Sequence, residues 1–141
     1  MPHFRKIVVC GTGLIGGSFA LALKAAGAVD EVVGLGRKRE TLDAALRLGV
    51  IDRIADDWSD ALAAADLVLL GMPVGQMAQV LRALAPHLPA HTIVTDGGST
   101  KGDVVAAARE ALGGRIGQFV PGHPIAGAET SGPAAARADL Y

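Results

Sequence analysis

Residues 5–10, Arg5-Lys6-Ile7-Val8-Val9-Cys10, form a short β-branched run that stops at a glycine, and that glycine opens the pattern Gly11-Thr12-Gly13-Leu14-Ile15-Gly16. A helix-length stretch of Leu and Ala, residues 14–26, follows and is closed by Gly27. A Gly-x-Gly-x-x-Gly pattern means little in isolation. Directly after a strand, opening a helix, and inside a βαβ unit of about 30 residues, it is the fingerprint of a dinucleotide site of the Rossmann type. Gly11 permits the tight turn, Gly13 lets the backbone approach a pyrophosphate, and Gly16 lets the helix pack close to the strand. Free N–H groups and the dipole at the helix start favour phosphate. Gly11, Thr12, Gly13, Leu14, Ile15 and Gly16 are therefore the candidate cofactor loop. The competing reading is a glycine-rich turn without a ligand.

The alternation continues to the end of the chain. Strand patterns at 31–35, 51–54, 66–70, 92–95 and 117–120 are separated by helical patterns at 40–48, 58–64, 77–84 and 101–112. Six strands interleaved with helices argue for an α/β fold with a parallel sheet. Right-handed crossovers make the expected form a doubly wound sheet with helices on both faces. Aromatic residues are only 4% of a chain that is 50% apolar, and small apolar side chains suit helices packed closely on such a sheet. The length, 141 residues, is that of one domain. Thirteen basic residues against 14 acidic ones give a formal charge of −1, so no broad positive field is available to attract nucleic acid. No apolar run approaches a membrane span, the residues before the first strand are too few for a signal peptide, and Cys10 is the single cysteine. A cytoplasmic protein without an intrachain disulfide is expected, and no metal site is assigned.

In an open α/β sheet, ligands bind outside the carboxyl ends of the strands. At the end of the second strand, Gly36 stands where an NAD-binding protein carries an acid, and Arg37-Lys38-Arg39 follow. Without a carboxylate to repel it, a ribose 2′-phosphate could pair with Arg37, with Lys38 beside it. NADP is accordingly favoured over NAD; alternatively, the three cations merely solvate a helix start. The fourth strand ends in Gly71-Met72-Pro73-Val74, where Met72 and Pro73 would border the cofactor and the proline stiffens the turn, or is a plain loop proline. The fifth ends in Asp96-Gly97-Gly98-Ser99-Thr100-Lys101-Gly102, in which Ser99 either caps a helix or meets a substrate oxygen. The sixth runs into Pro121-Gly122-His123-Pro124, and His123 is the one histidine placed where a general base is useful. His3, His87 and His91 read as surface residues.

Three segments together resemble the prephenate/arogenate (cyclohexadienyl) dehydrogenase family. They are Gly11 through Ser18, Asp96 through Gly102, and Gly122-His123-Pro124-Ile125-Ala126-Gly127-Ala128-Glu129-Thr130-Ser131-Gly132, the last being the most specific. The resemblance covers essentially the whole chain and implies NAD(P)-dependent oxidative decarboxylation of prephenate or arogenate in tyrosine synthesis. It implies that His123 accepts a proton or hydrogen bond from the 4-hydroxyl of this small-molecule substrate. It gives Ser99 the task of orienting the same hydroxyl, and puts Glu129 near the mouth of the site with a less defined role. The chain departs from the family at Ala128, where members often carry threonine, and at Gly36. The family's helical C-terminal domain, which dimerises and supplies a substrate-binding arginine, is expected to lie outside these 141 residues, and Arg137 is not promoted to that role. Residues 1–125 are thus expected to be the dinucleotide domain. Residues 126–141 would be an active-site loop and the start of a connection to that C-terminal domain, through which a complete enzyme would be a homodimer. Two other readings stay open: another two-domain dehydrogenase or reductase of small acids, and a non-enzymatic dinucleotide-binding module.

Overall fold

The computed structural model describes residues 3–98, 100–122 and 132–140. Strand β1, Phe4–Cys10, lies at the centre of a six-stranded sheet in the order β3-β2-β1-β4-β5-β6. The other strands are β2 Val29–Leu35, β3 Arg53–Ile54, β4 Leu67–Leu70, β5 Ile93–Asp96 and β6 Phe119–Val120, and every pairing is parallel. Side chains alternate across a strand, and β1 shows the result directly. Ile7 and Val9 enter one core with Ala20, Val32, Leu42 and Ala45, beneath helices α1 Leu14–Ala25 and α2 Arg39–Arg47. Val8 and Cys10 enter the opposite core, which α3 Trp58–Leu62, α4 Val74–Leu84 and α5 Lys101–Leu112 cover with Leu62, Met77, Leu81 and Val104. The sheet is doubly wound, as its continuous apolar strands require. Burial pushes the Cys10 thiol up to about 12, so it behaves as a small core hydrophobe and not as a nucleophile.

Several boundaries differ from the sequence reading for identifiable reasons. Helix α4 begins at Val74 and not at 77, because Pro73, with φ −55, already sets the cap geometry. The third strand is only Arg53–Ile54, since Val50 and Ile51 are buried in the turn before it. Residues 117 and 118 belong to a 3-10 segment, Gly113–Gln118, that precedes a two-residue β6. There Gln118 Nε2 donates to the carbonyls of Pro89 and Thr92, both at 2.8 Å, and ties the segment to the start of β5.

The last described residues return to the far face. A short 3-10 turn, Pro133–Ala135, packs against α1 and α2. The Arg137 N–H donates to the buried Ser18 hydroxyl at 2.9 Å, and a Cβ on Gly17 would stand 2.9 Å from that of Ala136. Arg137 itself pairs with Asp139. No helix among the described residues is long and apolar enough to cross a membrane.

Leu81, on the sheet-facing side of α4, is fully buried. Replacing it by alanine should cost about 2–5 kcal/mol, read as a lowered denaturant midpoint with an unchanged slope.

Candidate functional site

The ends of β1 and β4 meet backbone to backbone. Gly71 N–H donates to Cys10 O at 2.7 Å, and Gly11 N–H to Leu35 O at 3.0 Å. Gly11 turns the chain with φ +86, and a Cβ on it would fall 2.9 Å from both Gly71 C and Met72 N. A Cβ on Gly16 would fall 2.1 Å from Gly11 O and 2.9 Å from Val9 Cγ1. These two glycines are demanded by the fold. Gly13 is different: a Cβ there would meet nothing within 4 Å. Packing does not require glycine at this position, whereas a ligand lying against the backbone would. Helix α1 starts immediately after Gly13 with no side-chain cap and no acidic residue in its first turn, so its positive dipole end is uncompensated there. The Thr12 hydroxyl is buried without a hydrogen-bond partner among the described residues, which is unusual for a buried polar atom.

A cavity of about 790 Å³ opens in front of this loop. Arg37, Lys38 and Thr41 line it together with Met72, Pro73 and Trp58. Two of the described lining residues are cationic and none is acidic. That charge balance, with an apolar wall and an open glycine backbone, fits the phosphates, ribose and adenine of a dinucleotide. Of the residues assigned from sequence, Gly11, Thr12, Gly13, Arg37, Lys38, Met72 and Pro73 border the cavity. Leu14, Ile15 and Gly16 form the first turn of α1 behind it.

Two strands away, the end of β5 is organised by a residue to which sequence reasoning gave no task. The Asp96 side chain is completely buried. Its Oδ2 accepts from Gly98 N–H at 2.8 Å and from Lys101 Nζ, and its Oδ1 accepts from Gly122 N–H at 3.2 Å. Lys101 Nζ also donates to Gly122 O. Thr95 Oγ1 donates to Val120 O at 2.6 Å, closing the same junction one residue earlier. A Cβ on Gly98 would stand 2.9 Å from Val74 Cγ2, so this loop also abuts the start of α4 behind Met72 and Pro73. The available signal in the sequence was an acid ending an otherwise apolar strand, with a lysine five residues on. Ser99, His123 and Glu129 lie outside the described residues. Among the described residues, no group of three His, Cys, Asp or Glu is placed to hold a metal ion.

Comparison with known proteins gives a consistent result. A family profile described as prephenate dehydrogenase, nucleotide-binding domain, matches residues 19–141. A cyclohexadienyl dehydrogenase from Zymomonas mobilis is 42% identical over 142 residues, covering 100% of this chain and 47% of its own. A prephenate dehydrogenase from Bacillus subtilis is 43% identical over 136 residues, covering 96% of this chain and 36% of its own. Among solved structures, Aquifex aeolicus prephenate dehydrogenase in complex with hydroxyphenyl propionate and NAD+ superimposes with a TM-score of 0.87. It is 34% identical and covers 97% of this chain and 47% of that one. Synechocystis arogenate dehydrogenase gives 0.85 at 32% identity, covering 97% of this chain and 47% of that one. The chain therefore spans about half, or less, of the length of these relatives. The profile match begins after the glycine loop, so the loop's reading rests on its own geometry and on the whole-chain similarities.

The three glycines should separate in mutagenesis. Gly13→Ala should keep the unfolding free energy within about 1 kcal/mol of the parent while weakening dinucleotide binding about tenfold or more, by calorimetric titration. Gly16→Ala should lose about 1–3 kcal/mol of stability together with binding.

Proposed function

The chain belongs to the prephenate dehydrogenase family, as its nucleotide-binding domain, and we propose that it is the cofactor half of an enzyme that oxidatively decarboxylates prephenate or arogenate with NAD(P). The observation that carries this reading is the shared sheet edge. The glycine loop with its open Gly13 and the Asp96–Gly102 loop both leave carboxyl ends of parallel strands, and Gly122, held by Asp96, directly precedes His123. In this reading residues 1–125 are the dinucleotide domain, and residues 126–141 lead toward a C-terminal part of the kind that makes the relatives longer. The complete enzyme is a cytoplasmic homodimer joined through that part.

A bound nicotinamide supplies the acceptor for hydride. The chain's own residues prepare the donor. His123 takes the proton of the substrate's 4-hydroxyl, which places negative charge on that oxygen and makes departure of hydride from the attached ring carbon favourable. Ser99 holds the same hydroxyl in line with His123. Glu129 stands at the entrance to the substrate side. Loss of carbon dioxide then leaves an aromatic ring, and restored aromaticity makes the overall step strongly downhill. In the cavity before the glycine loop, Arg37 and Lys38 would hold a ribose 2′-phosphate, which Gly36 leaves unopposed by any carboxylate. NADP is therefore the preferred cofactor, while the Aquifex aeolicus relative was solved with NAD+.

Two measurements check these assignments. In the protein that includes the C-terminal part, His123→Asn should reduce turnover of prephenate or arogenate by roughly 10²–10⁴; unchanged turnover removes His123 from the mechanism. Arg37→Ala should weaken NADP binding by about tenfold with little effect on NAD. An equal loss for both cofactors, or none, refutes the phosphate role.

A further inference from the structure

The buried ion pair at the end of β5 has an arrangement that stability alone does not explain. A buried pair is a poor stabiliser compared with apolar side chains of similar volume, because desolvation offsets most of the attraction. Asp96 and Lys101 nevertheless occupy the junction between β5, α5 and β6, with the carboxylate fully buried and the lysine partly so. Their bonds fall on particular peptides. Gly122 N–H is held by Asp96 Oδ1, and Gly122 O is held by Lys101 Nζ. Both polar groups of one residue's backbone are thus fixed by one ion pair. The carbonyl held by Lys101 belongs to the peptide unit that joins Gly122 to His123, and a planar peptide unit turns as a rigid plate. Asp96 Oδ2 meanwhile holds Gly98 N–H, in the residue before Ser99. Glycine is required at both contacts: a Cβ on Gly98 would stand 2.9 Å from Asp96 Oδ2, and one on Gly122 would stand 2.9 Å from Asp96 O and 3.2 Å from Thr95 Oγ1.

We propose that Asp96 and Lys101 are positioning residues for the reaction, fixing the peptide that joins Gly122 to His123 and the N–H of Gly98, the residue before Ser99, and through them the presentation of both residues to one substrate hydroxyl. This rests on the reading of His123 as the base. The ion pair touches neither cofactor nor substrate in this role; it acts through Gly98 and Gly122. It also stands apart from the cavity in front of the glycine loop, none of whose described lining residues is Asp96, Lys101 or Gly122. Disturbing the clamp therefore leaves dinucleotide binding intact and lowers the rate of the chemical step.

The test uses the protein with its C-terminal part and four variants: Asp96→Asn, Lys101→Met, Lys101→Arg and Gly122→Ala. Asp96→Asn and Lys101→Met should lower kcat roughly 10–100-fold, the size of effect that a misplacement of about 1 Å produces, with dinucleotide Kd and substrate KM changed by less than about threefold. Lys101→Arg should recover most of the loss, since a cation again reaches Gly122 O. Gly122→Ala leaves the ion pair in place and displaces only the clamped peptide, and it should reproduce the kcat defect. It decides the matter if the two charge variants fail to fold. Folded variants that keep kcat within about twofold of the parent, or that lose dinucleotide affinity in parallel with kcat, overturn the proposal. His123→Asn is measured alongside. If that variant is inactive while the clamp variants are fully active, the positioning role is wrong and the base stands. If it is fully active, the reading of His123 fails first.

Discussion

Two strand ends touch with no side chain between them, and much of the molecule is arranged to allow it. Gly71 N–H bonds to Cys10 O at 2.7 Å. Seen from either side the contact excludes a Cβ: one on Gly11 would strike Gly71 C, and one on Gly71 would strike Gly11 O, each at 2.9 Å. This is the point where strand order reverses, with β2 and β3 on one side of β1 and β4 to β6 on the other. Helices that follow β1 and β4 diverge to opposite faces, so a crevice opens between them. Helix α1 starts immediately after Gly13, which lines the cavity, so its uncompensated positive end lies at the crevice.

The rest of the fold keeps that floor rigid. Alternate residues of β1 are buried in two separate cores, so the central strand is held from both faces. Away from the crevice, side chains tie down turns that lack regular pairing. Asp52 accepts from Val32 N–H at 2.8 Å and from Lys24 Nζ at 2.6 Å. Thr92 Oγ1 donates to Ala65 O at 2.5 Å. Asp66 receives the Arg5 N–H and side chain, which hold its carboxyl below the usual range. These side chains stand at the amino ends of β3, β4 and β5, and Asp66 also holds the start of β1, opposite the ligand edge. Stability and binding are thereby assigned to opposite ends of one sheet.

What could be read from the sequence was local. The β-branched run before Gly11, the glycine spacing and the apolar strand at 67–70 each declare themselves within a few residues, and they sufficed for the parallel, doubly wound sheet. Cationic Arg37 and Lys38 were legible for the same reason, since they adjoin a strand end. Pro73 was noticed as a stiff turn, yet its consequence for α4 was missed because a cap residue followed by Val-Gly-Gln carries no strong periodicity. The Asp96 clamp was hidden for a different reason. Its partner Gly122 is 26 residues away, and a glycine's backbone groups carry no trace in the sequence of what will bond to them. Gln118, which reaches back 29 and 26 residues to Pro89 and Thr92, escaped for the same reason.

The return of the chain to α1 has a consequence for the order in which the protein can be made. Ser18 lies about one helical turn after the start of α1, and the N–H it receives comes from Arg137, 119 residues later. The entropy of closing so long a loop rises only slowly with its length, but the contact cannot form until the distant partner exists. During synthesis the helix that begins the cofactor crevice is therefore complete early and keeps the Ser18 hydroxyl and the Gly17 face uncovered until residues 136 and 137 have been made. The notch at Gly17 and Ser18 is filled only when the last described residues have emerged, which makes the flank of the oldest helix one of the last surfaces of the domain to be finished.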